Sequence, residues 1–99
     1  MAYFLATMTP GPSWDRSRPR REQDGWDEHA AFVDGLAAQG VVVLGGPVDD
    51  PDFGPAVLVI AAESDDAVHR HLSGDPWFGT VLQVESVRRW SIWTGSLAG

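Results

Sequence analysis

Apolar and polar positions along the chain alternate between short apolar runs and one longer stretch with helical spacing. Residues 2–8 form the first apolar run and predict a strand. A helix is predicted from residue 23 to residue 39, where Gly40 ends it. The apolar side of this helix repeats at three- and four-residue steps, so its members share one face: Trp26, His29, Val33 and Leu36.

The second half of the chain repeats this alternation. A β-branched strand at 41–48, a turn at 49–55 and an apolar strand at 56–62 predict a hairpin. Ser64 is a good N-cap for a short helix that Gly74 ends. Three segments complete the prediction: a proline- and arginine-rich loop at 10–22, a turn with one helical turn at 75–82, and a long strand at 84–93.

The predicted order is strand, helix, strand, strand, helix, strand. This order is typical of the α+β ferredoxin-like, split βαβ fold (βαββαβ), in which an antiparallel sheet carries both helices on one face. The 99 residues predict a single domain, 1–99. The other sheet face would be left open in so small a chain, so we expect a second copy to cover it in a homodimer.

Composition and charge exclude several classes of protein. Seven arginines, no lysine and fourteen acidic residues give a net charge of −7, which argues against nucleic-acid binding. No cysteine is available for a disulfide or a thiolate. The N-terminus lacks the features of a signal peptide, and no apolar stretch approaches the roughly 20 residues of a membrane span. We therefore expect a cytoplasmic protein with no membrane partner.

Two polar residues stand out as candidates for chemistry. His29 lies on the apolar helix face, where an imidazole is either a buried residue bonded to the backbone or the working group of a pocket. Asp75, followed by Pro76, is either a turn cap or the partner of that imidazole. Gly45-Gly46-Pro47 ends the second predicted strand and is by itself an ordinary strand exit.

Taken in order along the chain, these short motifs resemble the YCII-related (YciI-like) family. The matching features are His29, Gly45-Gly46-Pro47, the helix start Ser64-Asp65-Asp66-Ala67, and Asp75-Pro76 followed by Trp77-Phe78. The resemblance implies a dimeric α+β barrel with a His–Asp active-site pair, here His29 and Asp75. It also implies a reaction of the kind assigned to one member, loss of chloride from a chlorinated hydroxyquinone. The chain departs from the family at Thr80-Val81-Leu82, where Ala-Gly-Leu is common, and in its longer arginine-rich loop.

A His–Asp pair suits proton transfer to and from an oxygenated, aromatic or polyketide-like substrate. We therefore expect a lyase or isomerase without a cofactor. No Ser, Cys or Lys nucleophile is evidently placed, so covalent catalysis has little support. The alternative is a non-catalytic module that binds a small ligand on the same fold. No metal site is expected, because His69 and His71 are two apart and point to different sides of their helix.

A substrate-binding set is predicted around this pair. An arginine near the first helix would bind a carboxylate or phenolate, and aromatic residues would enclose a ring. The alternatives are a solvated arginine loop without a partner, and aromatic residues that serve the core or the dimer contact. The predicted set comprises Arg20, Arg21, Trp26, Gly46, Pro47, Trp77 and Phe78.

Overall fold

The structure, a computed structural model, describes residues 1–98. It contains four strands, two α-helices and a short 3-10 helix at Arg20–Glu22. In chain order the main elements are β1 (Ala2–Pro10), α1 (Trp26–Ala38), β2 (Val42–Pro47), β3 (Ala56–Ala62), α2 (Asp65–Leu72) and β4 (Leu82–Arg89).

The strands form one antiparallel sheet in the order β2-β3-β1-β4. β1 is central and pairs with β3 from Ala2↔Ala62 to Met8↔Ala56, and with β4 from Phe4↔Arg89 to Pro10↔Leu82. β2 is an edge strand that pairs with β3, which confirms the predicted hairpin. The α+β ferredoxin-like fold predicted from the order of elements is therefore confirmed.

The core lies between the sheet and the two helices. Alternate residues of β1 are buried, as the period of two in a strand requires, whereas Leu58, Val59 and Ile60 of β3 are buried in succession. Trp77 and Val68 are among the largest fully buried side chains. The core cluster takes Phe4, Ala6 and Met8 from β1, Leu58, Ile60 and Ala62 from β3, Leu36 from α1, and Val68 and Leu72 from α2.

The first helix begins three residues later than predicted. Gly25 has φ +80°, a left-handed conformation that stops the helix from extending toward residue 23. Gln23 is buried outside the helix and its side chain holds the preceding loop together. Its Nε2 donates to the carbonyls of Asp15 and Arg18, each at 2.7 Å, and its Oε1 accepts from Asp15 N at 2.8 Å.

The last strand is shorter than predicted at its C-terminal end. β4 stops at Arg89 rather than residue 93, and Trp90 N donates the last bond to Tyr3 O at 2.9 Å. Beyond this bond, Ala2 at the start of β1 pairs only with Ala62 of β3. Trp93, predicted to lie within the strand, is 86% exposed.

The second helix begins where the sequence predicts. Ser64 Oγ accepts a hydrogen bond from Ala67 N at 3.2 Å, and Asp65 and Asp66 occupy the first turn. These carboxylates complement the positive end of the helix dipole.

None of the helices within residues 1–98 has the length and the hydropathy of a membrane-spanning helix.

Candidate active site

His29 and Asp75 meet in the structure although 46 positions separate them in the sequence. His29 lies in the first turn of α1, where its backbone N–H donates to Gly25 O at 3.0 Å. Its Nδ1 lies 2.6 Å from Asp75 Oδ2. The two side chains are only 12% and 7% exposed, so the contact is shielded from water. A short, shielded His–carboxylate contact of this kind fixes the orientation of the imidazole ring.

The second carboxylate oxygen of Asp75 is also occupied. Asp75 Oδ1 accepts from Trp77 N at 2.8 Å, closing a turn directly after α2. Asp75 therefore caps a turn and holds the imidazole at the same time, so the two roles considered from the sequence coexist in one side chain. The turn holds the Asp75 carboxylate in place, and the carboxylate in turn orients the His29 ring.

Trp77 supports the imidazole from one side. The two rings stack with centroids 4.1 Å apart and planes 9° from parallel. Trp77 is 2% exposed, and its Nε1 donates to Asp24 O at 2.8 Å. Trp26 packs against both rings at centroid distances of 5.7 Å. A Cβ added at Gly25 would lie 3.2 Å from Trp77 Nε1, so a glycine allows this close approach.

The remaining ring nitrogen of His29 is the atom available for chemistry. Asp75 occupies Nδ1, and every fully buried side-chain nitrogen or oxygen among residues 1–98 has a hydrogen-bond partner. Within residues 1–98, Nε2 of His29 makes no hydrogen bond to the protein, so it is not fully buried, and His29 lines a cavity. When Nδ1–H donates to Asp75, Nε2 carries the lone pair and can accept a proton.

The cavity has a volume of about 450 Å³ and lies between α1 and the edge strand β2. Its floor comes from the core side of the sheet, including Met8 and Leu58. His29 and Asp75 form part of the wall at the N-terminal end of α1. The cavity therefore gives a small molecule access to the His–Asp pair.

Five of the seven predicted substrate-binding residues line this cavity: Arg20, Arg21, Trp26, Gly46 and Pro47. The other two lie outside its lining. Trp77 packs behind His29, and Phe78 is 37% exposed beside the turn that Asp75 caps. Asp34 also lines the cavity, at the fifth position after His29, although its place on the polar face of the predicted helix gave no sign of a site residue.

Arg20 holds two loops together. Its Nε donates to Pro51 O at 3.1 Å, its Nη2 donates to Gly54 O, and its backbone N–H donates to Asp52 O at 2.9 Å. Its guanidinium also lies 5.4 Å from the centre of the Trp14 ring. Burial lowers the pKa of Arg20, and the nearby carboxylates of Asp50 and Asp52 oppose that shift. Arginine remains protonated in proteins, so Arg20 keeps its charge at the cavity wall.

The other arginines of the loop differ in their contacts. Arg18 binds Asp15 at 3.1 Å and Asp24 at 3.2 Å, and these pairs are largely open to solvent. Arg21 is exposed, lines the cavity, and has its guanidinium carbon 5.8 Å from the centre of the Trp26 ring. Arg21 is thus the more exposed of the two cavity arginines and the better placed to meet an incoming anion.

The described residues contain no group of three or more His, Cys, Asp or Glu side chains that could hold a metal ion. His69 and His71 lie on α2, away from the cavity lining.

Comparison with known proteins gives one informative similarity. No protein-family model matches the chain, and no curated protein matches it in sequence. A solved structure of 5-chloro-2-hydroxyhydroquinone dehydrochlorinase from Burkholderia phenoliruptrix AC1100, in complex with 2,5-dihydroxybenzoquinone, superposes with a TM-score of 0.63. The chain is similar to a dehydrochlorinase. The two sequences are 29% identical, over 89% of this chain and 92% of the other.

Proposed function

We propose that this protein is a cofactor-independent lyase of the YCII-related family that eliminates a small anion from an oxygenated ring. The observation that carries the proposal is the shielded His29–Asp75 contact at the wall of a cavity. Similarity to a dehydrochlorinase, along almost the full length of both chains, supports elimination over other proton-transfer reactions. The family assignment rests on the same similarity and on the short motifs in the sequence.

His29 is the proton-transfer group in this proposal. Its Nε2 removes a proton from a ring hydroxyl, and Asp75 stabilises the imidazolium that forms. The contact at 2.6 Å holds the imidazole in one orientation, which leaves Nε2 as the nitrogen that would meet the substrate. Trp77 supports the same orientation by stacking on the imidazole.

Arg21 is the group that would bind the ring oxygens. A hydroxyl that loses its proton becomes an anion, and an arginine at the cavity wall stabilises it. The N-terminus of α1 adds partial positive charge in the same place. Arg20 contributes its charge from a fixed position, since its hydrogen bonds tie it to the loop after β2.

The chemistry balances without an oxidant. Loss of HCl from a chlorinated hydroquinone releases one proton and one chloride. One ring hydroxyl proton is first transferred, through His29, to the ring carbon that carries chlorine, and that hydroxyl becomes a carbonyl. Chloride then leaves this carbon with the electron pair of the carbon–chlorine bond as a second hydroxyl loses its proton, and the ring is left as a quinone with hydrogen in place of chlorine. The reaction therefore requires only proton transfer and stabilisation of an anion. In this proposal His29 and Asp75 transfer the protons and Arg21 stabilises the anion.

The proposal is tested with 5-chloro-2-hydroxyhydroquinone under anaerobic conditions, with free chloride as the readout. We expect the protein to release chloride faster than the buffer alone, in proportion to enzyme concentration. No release above the buffer rate for this compound and for chlorinated hydroquinones with larger substituents would contradict the lyase proposal. Binding of 2,5-dihydroxybenzoquinone without any chloride release would favour the alternative, a non-catalytic ligand-binding module.

We further propose that the protein is a homodimer that packs sheet against sheet. The sheet face away from the helices carries apolar side chains, among them Leu5, Val57 and Leu44, and Leu44 is 57% exposed. Burying such a face against a second copy removes apolar surface from water.

Sedimentation equilibrium tests this assembly. We expect a mass of twice the 10.7 kDa chain, and expect Leu5→Glu to shift the protein toward the monomer, since a buried charge on the central strand is costly. Ala38→Glu, which places the same charge on the exposed side of α1, should leave the mass unchanged. A wild-type mass of one chain at micromolar concentration would contradict the dimer.

A further inference from the structure

The cavity is larger than one ring requires. Its volume of about 450 Å³ falls within the range of roughly 300–1,000 Å³ for sites that hold drug-sized ligands. An engineered protein cavity that binds benzene measures only about 150 Å³. A single oxygenated ring at His29 would therefore leave most of this cavity to water.

The cavity extends along α1. Ala30, Val33 and Ala37 line it at helical spacing on the same side of α1 as Trp26. Ala37 lies eight positions after His29, which corresponds to about 12 Å along a helix axis. Val42 follows closely after the end of α1 and lines the far end of the cavity, whereas Pro47, at the other end of β2, lies toward His29.

Polar and apolar groups are separated along this length. The His29 end contains Arg20 and Arg21, whose guanidinium groups suit oxygen atoms with negative charge. The other end contains Val33, Ala37 and Val42, which suit hydrocarbon. Asp34 is exposed at the margin of that apolar end, so a negatively charged extension would be repelled there.

We propose that the natural ligand is an oxygenated ring that carries an uncharged hydrocarbon extension. The oxygenated ring lies at His29, and the extension, a fused ring or an alkyl chain, lies along α1 toward Ala37. The placement of the ring rests on the proposed function, whereas the extension rests on the length and the apolar lining of the cavity alone.

A graded set of ligands tests the extension by isothermal titration calorimetry. The one-ring probe is 2,5-dihydroxybenzoquinone, the two-ring probe is 2-hydroxy-1,4-naphthoquinone, and the alkyl probes are 2-hydroxy-1,4-naphthoquinones with 3-alkyl chains of two to six carbons. Each methylene that leaves water strengthens binding by up to about fourfold. We expect Kd to fall at least tenfold from the one-ring probe to the tightest extended probe. The two-ring and alkyl probes distinguish a fused ring from a chain.

A pair of variants on α1 locates the extension. Ala37→Phe fills the apolar end of the cavity and should weaken the extended probes at least tenfold while leaving the one-ring probe within twofold. Ala38→Phe adds the same ring at an exposed neighbour that does not line the cavity. It should therefore change the affinity of neither the extended probes nor the one-ring probe. Because both positions are exposed, the fold should tolerate both changes, and circular dichroism checks this.

The outcomes separate this inference from the proposed function. Equal affinity for one-ring and extended probes, equal loss of both in Ala37→Phe, or no binding of any probe would overturn the extended ligand. Tight binding of extended probes that Ala37→Phe abolishes would support it, even if no chlorinated hydroquinone loses chloride. In that case the lyase proposal would be wrong, and the proposal that the ligand carries a hydrocarbon extension would still be supported.

Discussion

Replacement of His29 by glutamine is expected to lower the rate of chloride release by at least a hundredfold. A positioned acid–base group contributes about 10²–10⁴-fold to a rate, and glutamine keeps a hydrogen-bonding side chain but does not exchange a proton near neutral pH. In the wild type Asp75 occupies Nδ1 at 2.6 Å, so Nε2 is the ring nitrogen left for the substrate, and glutamine has no basic nitrogen to replace it. Initial rates at saturating substrate, under anaerobic conditions, measure the effect.

The control for this variant is a histidine outside the cavity. His69 is exposed on α2, and His69→Gln should leave the rate within twofold of wild type. Thermal unfolding of both variants separates a catalytic loss from a folding loss. A His29→Gln protein that is folded and retains more than a tenth of the wild-type rate would show that another group moves the proton.

Replacement of Trp77 by alanine is expected to lower the free energy of unfolding by about 3–5 kcal/mol, as for other fully buried aromatic residues. Trp77 is 2% exposed, belongs to the core cluster and donates its indole N–H to Asp24 O at 2.8 Å. Its loss leaves a cavity beneath His29 and removes the stacked ring at 4.1 Å. In a domain of this size we expect the melting temperature to fall by at least about 12 °C.

Urea denaturation of a matched tryptophan variant provides the comparison. Trp93 is 86% exposed, so Trp93→Ala should stay within about 0.5 kcal/mol of wild type. Trp77→Phe should lie between the two, because it restores part of the packing without the indole hydrogen bond. A Trp77→Ala protein destabilised by less than about 1 kcal/mol would mean that the site relaxes around the missing ring.

The order of elements and the hairpin could be predicted from the sequence because both depend on local signals. Apolar periodicity marks the strands and helices, Gly40 marks the end of α1, and Ser64 marks the start of α2. The two largest errors in element ends depend on other parts of the chain. Gln23 is drawn into the loop by its contacts with Asp15 and Arg18, and β4 pairs with β1 only as far as Phe4↔Arg89.

The sequence allowed the two residues of the candidate pair, His29 and Asp75, to be selected, but it did not allow the contact between them to be predicted. His29 was selected by its place on the apolar helix face and its pairing with Asp75 by the family resemblance, and nothing local to either residue fixes a contact across 46 positions. The stacking of Trp77 on His29 likewise depends on where α1 and the turn after α2 meet. For Arg20, the hydrogen bonds to Pro51 and Gly54 depend on the conformation of the loop before β3, which a sequence pattern does not specify.

The most direct test of a proton-transfer role for His29 is a crystal structure of the protein with the one-ring probe, 2,5-dihydroxybenzoquinone. We predict that a ring oxygen lies about 2.6–3.2 Å from His29 Nε2, the reach of a proton-transfer contact, with Asp75 still on Nδ1. A probe bound elsewhere, or a ring in the cavity whose oxygens all face away from Nε2, would contradict that role.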